Sequence, residues 1–191
     1  MTASTRPLSA PQPTALPDVW TVDSVERRDD RGAFARLFDR DLLGPLHGDR
    51  PIVQVNRSIT RAVGALRGLH FQIAPHLEAK WVRCLHGRVW DVAVDLRQDS
   101  PTFLQHAAVE LSAERMNAVF LPEGFAHGFQ VLEADSELLY LHSAPYVPSA
   151  EDGVRWDDPA LAITWPLPPT DISVRDREHP LLSASYEGLA V

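Results

Sequence analysis

Apolar and polar residues alternate with a period of two over much of this chain, and glycines and prolines interrupt the pattern often. The clearest run is Arg88-Val89-Trp90-Asp91-Val92-Ala93-Val94-Asp95-Leu96. Extended backbone puts Trp90, Val92, Val94 and Leu96 on one face and Val89, Asp91, Ala93 and Asp95 on the other. A second apolar run, 79–85, precedes it across His86-Gly87, and this spacing predicts a hairpin turning at the glycine. Similar patterns predict strands at 52–57, 66–72, 105–111, 117–121, 127–132 and 137–143. Helical signals are sparse. One short helix is expected over 38–43 and another near 158–161, after Trp156-Asp157. Many short strands with regular turns point to an all-β sandwich or barrel.

Two segments break this rhythm. Residues 1–17 carry Pro7, Pro11, Pro13 and Pro17 and are expected to form a flexible tail outside the core, leaving one domain over 18–191. From 165 the run Trp165-Pro166-Leu167-Pro168-Pro169 predicts an extended segment. Proline cannot donate to a ladder, so this segment should wrap over the barrel instead of joining a central strand.

The bulk properties narrow the field. The 191 residues, 45% hydrophobic and 23% charged, suit a single globular domain. A net charge of −8 argues against a broad nucleic-acid surface. It leaves room for a small anionic ligand held by a few arginines. The single cysteine, Cys84, forbids an internal disulfide, fits a reducing compartment, and reads as a small buried hydrophobe rather than a nucleophile. No apolar run approaches the roughly 20 residues of a membrane span, and the first residues show no secretory pattern. A cytoplasmic protein is the expectation.

The candidate chemistry sits on the apolar strands. His70, Lys80, His127 and Tyr140 all interrupt or border hydrophobic runs. A polar group turned into a barrel must be paired or lose solvation free energy, so each needs an explanation. Taken singly, each is more often a hydrogen-bonded structural residue than a catalyst. The eight histidines contain no His-x-His pair, and Pro75 interrupts the interval between His70 and His76. This spacing weighs against a tight metal site, and neither metal nor cofactor is expected. There is no Gly-x-Ser-x-Gly elbow and no Gly-x-Gly-x-x-Gly loop.

Eight motifs in order resemble one family. They are Asp30-Arg31-Gly32-x-Phe34, Gln54-x-Asn56-x-Ser58, Leu66-Arg67-Gly68-Leu69-His70-Phe71-Gln72 and Lys80-x-Val82. They continue with Asp91-Val92-Ala93-Val94-Asp95-Leu96-Arg97, Ser100-Pro101-Thr102-Phe103, Pro122-Glu123-Gly124-Phe125-Ala126-His127-Gly128-Phe129 and Trp156-Asp157-Asp158-Pro159. From about 19 to 180 the chain is similar to the dTDP-4-dehydrorhamnose 3,5-epimerases. The resemblance implies a double-stranded β-helix (a cupin-like jelly roll) with a few short helices. It also implies a homodimer exchanging N-terminal strands and a dTDP-linked 4-keto-6-deoxyhexose as substrate.

It further implies roles. His70 matches the general base, with Asp176 as its partner and Asp171 as a nearby rival. Lys80 matches the cation that offsets enolate charge, and Tyr140 the acid on the opposite face. Arg67 and Arg31 match diphosphate-binding residues, Arg31 coming from a partner subunit. Phe34 matches a ring stacked on the base, and Gln54, Asn56 and Tyr146 match substrate contacts. His127 matches a second site histidine or, equally, a structural one. Glu78 stands where the family usually has Gln, His142 where a smaller residue is common, and the 57–66 link is one residue longer. The family includes relatives that invert only C3 or only C5, so both and either remain open. Two other readings compete: a metal-dependent cupin isomerase or dioxygenase, and a non-catalytic nucleotide-sugar-binding cupin.

Overall fold

A computed structural model of the chain describes residues 7–191. In chain order its elements begin with β1 (Gln12–Pro13), β2 (Trp20–Asp23), β3 (Arg27–Asp29), β4 (Gly32–Phe34) and α1 (Arg40–His47). The central strands are β5 (Gln54–Thr60), β6 (Leu66–Gln72), β7 (Lys80–His86), β8 (Arg88–Asp95) and β9 (His106–Ser112). β10 (Asn117–Leu121), β11 (Phe125–Val131), β12 (Ser136–His142), β13 (Glu151–Gly153) and α2 (Val174–Glu178) complete the fold. One sheet has the order β1-β2-β10-β7-β12-β5 and the other β13-β6-β11-β8-β9. β3 and β4 form a separate hairpin. The two large sheets are antiparallel throughout and face each other, which is the double-stranded β-helix.

Period-two alternation sorts each strand between two destinations. Val82 and Cys84 of β7, Val89 and Ala93 of β8, Phe125, Phe129 and Val131 of β11, and Leu138 of β12 meet between the sheets. The opposite faces are not left in water. Val92 and Val94 of β8 and Leu96 just after it pack beneath the C-terminal segment, against Trp165, Leu182, Tyr186 and Leu189. Trp81 of β7 and Phe120 of β10 pack beneath α1, against Leu43 and Phe38. Each such aliphatic side chain contributes roughly 1.5–3 kcal/mol on burial. Asp39 caps α1 by accepting from the backbone N–H groups of Asp41 and Leu42.

Four expectations need correction. β7 and β8 do not form a hairpin. Gly87 (φ +71°) carries the chain from one sheet to the other, and β7 pairs with β10 and β12 while β8 pairs with β9 and β11. The first helix runs over 40–47, not 38–43. Residues 158–161 form a turn in which the Asp158 carboxylate accepts from the Ala160 and Leu182 N–H groups. The helix lies further on, at α2. Finally, the N-terminal segment from residue 7 is not a free tail. Leu8 and Leu16 are buried, and β1 pairs with β2 as the edge strand, where Pro13 is tolerated. Residues 1–6 lie outside the described residues. The C-terminal segment wraps the five-stranded sheet as expected. Among the described residues no helix is long and apolar enough to cross a membrane.

Candidate active site

The two sheets enclose a cavity of about 640 Å³. One wall comes from β6 and β11, which carry Arg67, His70 and His127. The other comes from β5, β7 and β12, which carry Gln54, Asn56, Lys80, Tyr140 and His142. Strand parity puts them there. Lys80 shares its face with Val82 and Cys84, His127 with Phe125 and Phe129, and Tyr140 with Leu138, all inward-facing.

β6 and β11 approach unusually closely at their glycines. A Cβ on Gly128 would lie 2.6 Å from the Arg67 carbonyl oxygen, and one on Gly68 2.6 Å from that of His127. The register shifts between His127 and Phe129 at this point. Only glycine allows the two backbones to meet here, and the contact sets the height of both His70 and His127.

His70 Nε2 lies 2.8 Å from Asp176 Oδ1. Asp176 is buried, and Ser173 Oγ caps α2 by accepting its N–H. The Gly68 N–H donates to Asp176 Oδ2 at 3.2 Å. Burial opposes ionisation of this carboxyl, but the hydrogen bond and charge of His70 and the Gly68 amide outweigh it and lower its pKa to about 2. The ionised Asp176 therefore holds the proton on Nε2, leaving Nδ1 as the free ring nitrogen. Asp171 is not the partner: its backbone carbonyl accepts from the Leu66 N–H and so anchors the segment that delivers Asp176.

A second imidazole–carboxylate pair lies beside the first. His127 Nε2 is 2.8 Å from Asp91 Oδ2, both buried, and Tyr140 packs edge-on to the His127 ring at 6.2 Å. The Tyr140 hydroxyl lies 3.2 Å from Ser58 Oγ. Burial, only partly offset by that hydroxyl, pushes its pKa well above the usual phenol range, so it holds its proton at neutral pH.

Lys80 Nζ sits 2.6 Å from Glu78 Oε1. Glu78 Oε2 accepts from His142 Nδ1 at 2.7 Å, and His142 Nε2 accepts from the Asn56 amide at 3.3 Å. Asn56 Oδ1 in turn accepts from Gln54 Nε2 at 3.1 Å. Glu78 thus faces the site. Burial opposes its ionisation, yet Lys80 and His142 lower its pKa to about 2. Among the described residues Arg67 is held only through Nε, by Thr60 Oγ1 at 2.9 Å, and the residue lines the cavity. Tyr146 is half exposed at the rim, its hydroxyl donating to Glu151. Burial pushes the Cys84 thiol up to about 11, consistent with a structural role.

Arg31 and Phe34 are not in this cavity. They sit on the β3–β4 hairpin, Phe34 68% exposed and Arg31 paired with Asp29 of the same hairpin. Two residues escaped the sequence reading. Asp91 was visible as the first residue of a motif without an assigned role, and His179 as one histidine among eight. His179 Nε2 lies 3.9 Å from Asp176 Oδ1, and the side-chain donors of His70, Asp176 and His179 all fall within 4.8 Å of one another.

A histidine on one sheet, backed by an ionised carboxylate from α2, with a lysine and a protonated phenol on the facing sheet, defines a cupin-like barrel equipped for proton transfer. The chain belongs to the dTDP-4-dehydrorhamnose 3,5-epimerase family, whose sequence profile matches residues 13–184. It is 42% identical over 173 residues to the dTDP-4-dehydrorhamnose 3,5-epimerase of Salmonella typhimurium, covering 88% of this chain and 93% of that one. It superimposes with a TM-score of 0.89 and 34% identity on the Legionella pneumophila epimerase RmlC in complex with dTDP-4-keto-L-rhamnose, over 96% of this chain and 99% of that one. ChmJ, a 3'-monoepimerase from Streptomyces bikiniensis in complex with dTDP-quinovose, superimposes with a TM-score of 0.82 and 36% identity, over 88% and 86%.

Proposed function

We propose that the chain epimerises a dTDP-linked 4-keto-6-deoxyhexose at C3, C5 or both, without a cofactor. The observation that carries this reading is the position of His70, backed by Asp176 of α2, and of Tyr140 on facing sheets across one cavity. The C4 ketone acidifies the protons on C3 and C5. His70 Nδ1 removes one, and Asp176 stabilises the imidazolium that results. Negative charge then develops on the ketone oxygen, where the Lys80 ammonium offsets it. The buried, protonated Tyr140 delivers a proton to the opposite face, which inverts the carbon. His127, oriented by Asp91, supports the ring of Tyr140.

The fork of Arg67 suits a diphosphate, and Gln54, Asn56 and Tyr146 contact the nucleotide and sugar. Arg31 and Phe34 serve the partner's cavity in a homodimer. Two features support this assembly: the β3–β4 hairpin pairs with no other strand, and edge strand β5 exposes Val55 and Ile59. We place the reaction in the cytoplasm, with its soluble nucleotide-sugar substrate.

Incubation with dTDP-4-keto-6-deoxyglucose in D₂O, read by NMR, tests the function. Deuterium at C3 and C5 is the outcome for double epimerisation, and label at one carbon identifies a mono-epimerase. Absence of label at both, with substrate bound, would rule the reading out.

A further inference from the structure

His179 has no part in the mechanism above, yet it is aimed at the dyad. Its Nε2 is buried and has no hydrogen-bond partner among the described residues. The ring packs directly over Gly153, where a Cβ would collide with it. Gly153 pairs with His70 across β13 and β6, so the glycine is what admits the second imidazole beside the first. The two rings meet edge to face, their centroids 5.9 Å apart.

We infer that His70 Nε2, Asp176 Oδ1 and His179 Nε2 form a binding site for a zinc-class divalent cation, and that its occupancy silences the base. The donor set is two imidazoles and one carboxylate, a combination zinc accepts with its fourth position left to solvent. Tetrahedral ligands at about 2.0–2.1 Å from zinc lie roughly 3.4 Å from one another. The distances from Asp176 Oδ1 to the two ring nitrogens, 2.8 and 3.9 Å, bracket that value. Side-chain rotations must also bring the two ring nitrogens, which lie within 4.8 Å of each other, to that spacing. Asp176 is already ionised, and its other oxygen stays with the Gly68 N–H. Burial holds His179 neutral, the form that ligates.

One cation and one anion bear on the site. Arg175 Nη2 lies 3.2 Å from His70 Nε2 and its Nε 3.5 Å from Asp176 Oδ1, so Arg175 must withdraw. It is 55% exposed and already bonded to Glu151 Oε2 at 2.8 Å, which gives it somewhere to go. Asp152 adds a favourable negative charge near His179.

The consequence for catalysis follows from imidazole chemistry. A neutral ring that ligates through Nε2 carries its single proton on Nδ1. Nδ1 can then no longer accept a proton from carbon. This silencing step rests on the reading of His70 as the base; the binding step does not.

The two are measured separately. ZnCl₂ is titrated calorimetrically into the metal-free full chain and into the His179→Ala and His179→Gln variants. One high-affinity zinc per chain, weakened at least 10-fold in both variants, is the expected result. In the intact protein, zinc should also perturb the ring signals of both His70 and His179 in NMR spectra. This readout does not depend on how the variants fold. Equal zinc affinity in the three proteins, or unchanged His70 signals, overturns the site. Epimerase rates are then taken with zinc and with EDTA, each protein against its own EDTA rate. Zinc inhibition that EDTA reverses and both variants resist supports silencing. Zinc bound at His70 and His179 with full activity retained overturns it.

Discussion

Glu78→Gln is the most informative single change outside the dyad. Glu78 is 11% exposed, takes a hydrogen bond from His142 and neutralises Lys80, itself only 7% exposed. Its pKa falls from 4.5 to about 2 on folding. At about 1.4 kcal/mol per pH unit, this corresponds to about 3 kcal/mol of stability at neutral pH. Breaking a buried pair typically costs about 3–5 kcal/mol, so the two routes agree, and the amide oxygen of Gln keeps the loss near the lower end. For a domain of this size, 3 kcal/mol corresponds to a fall in Tm of roughly 6–12 °C. The pH dependence gives a sharper signature. Because the folded pKa lies below the unfolded one, the contribution is complete above about pH 5 and disappears as pH falls towards 2. Urea unfolding of both proteins between pH 3 and 7 measures it. The wild-type advantage should be full at pH 7 and shrink steadily below pH 5. An advantage of under 0.5 kcal/mol at pH 7, or one that stays constant down to pH 3, would refute the argument.

Further outcomes follow from the same geometry. Gly128→Ala forces a Cβ against the Arg67 carbonyl and should cost about 1–3 kcal/mol in urea unfolding, with kcat falling further because β6 and β11 are pushed apart. A variant as stable and active as wild type would remove the close approach as the device that sets His70. Asp176→Asn should lower kcat on the order of 10²–10⁴-fold with little change in KM, since the amide no longer selects the Nε2–H tautomer. The acid limb of its pH–rate profile should move as well, and an unaltered profile would reduce Asp176 to a packing role.

Much of this architecture was legible because strand parity is a local property. The alternation over 88–96 gave both the element and its two faces, and the same parity turned Lys80, His127 and Tyr140 inward. Pairing is not local. The sequence around Gly87 is that of a hairpin, but the partners of β7 and β8 lie tens of residues away in two different sheets. The expected helix near 158–161 failed because Asp158 there caps a turn, binding Ala160 and the distant Leu182. α2 is only five residues long and owes its position to tertiary anchors, among them the parallel bridge between Leu66 and Ile172. For the same reason Asp171 stayed a rival to the expected Asp176 until the helix was placed. Asp91 could not be matched to His127, because their contact depends on the β8–β11 register. Leu8 and Leu16 were hidden by the prolines around them.

The account turns on His70 as the base. The most direct test is hydrogen–deuterium exchange at C3 and C5 of dTDP-4-keto-6-deoxyglucose by His70→Ala, alongside its affinity for dTDP. Exchange should vanish at every carbon that the wild type labels, while dTDP binding, which we assign to Arg67 and its neighbours, stays within a few-fold. Persistent exchange at near wild-type rate, with dTDP bound normally, would contradict it.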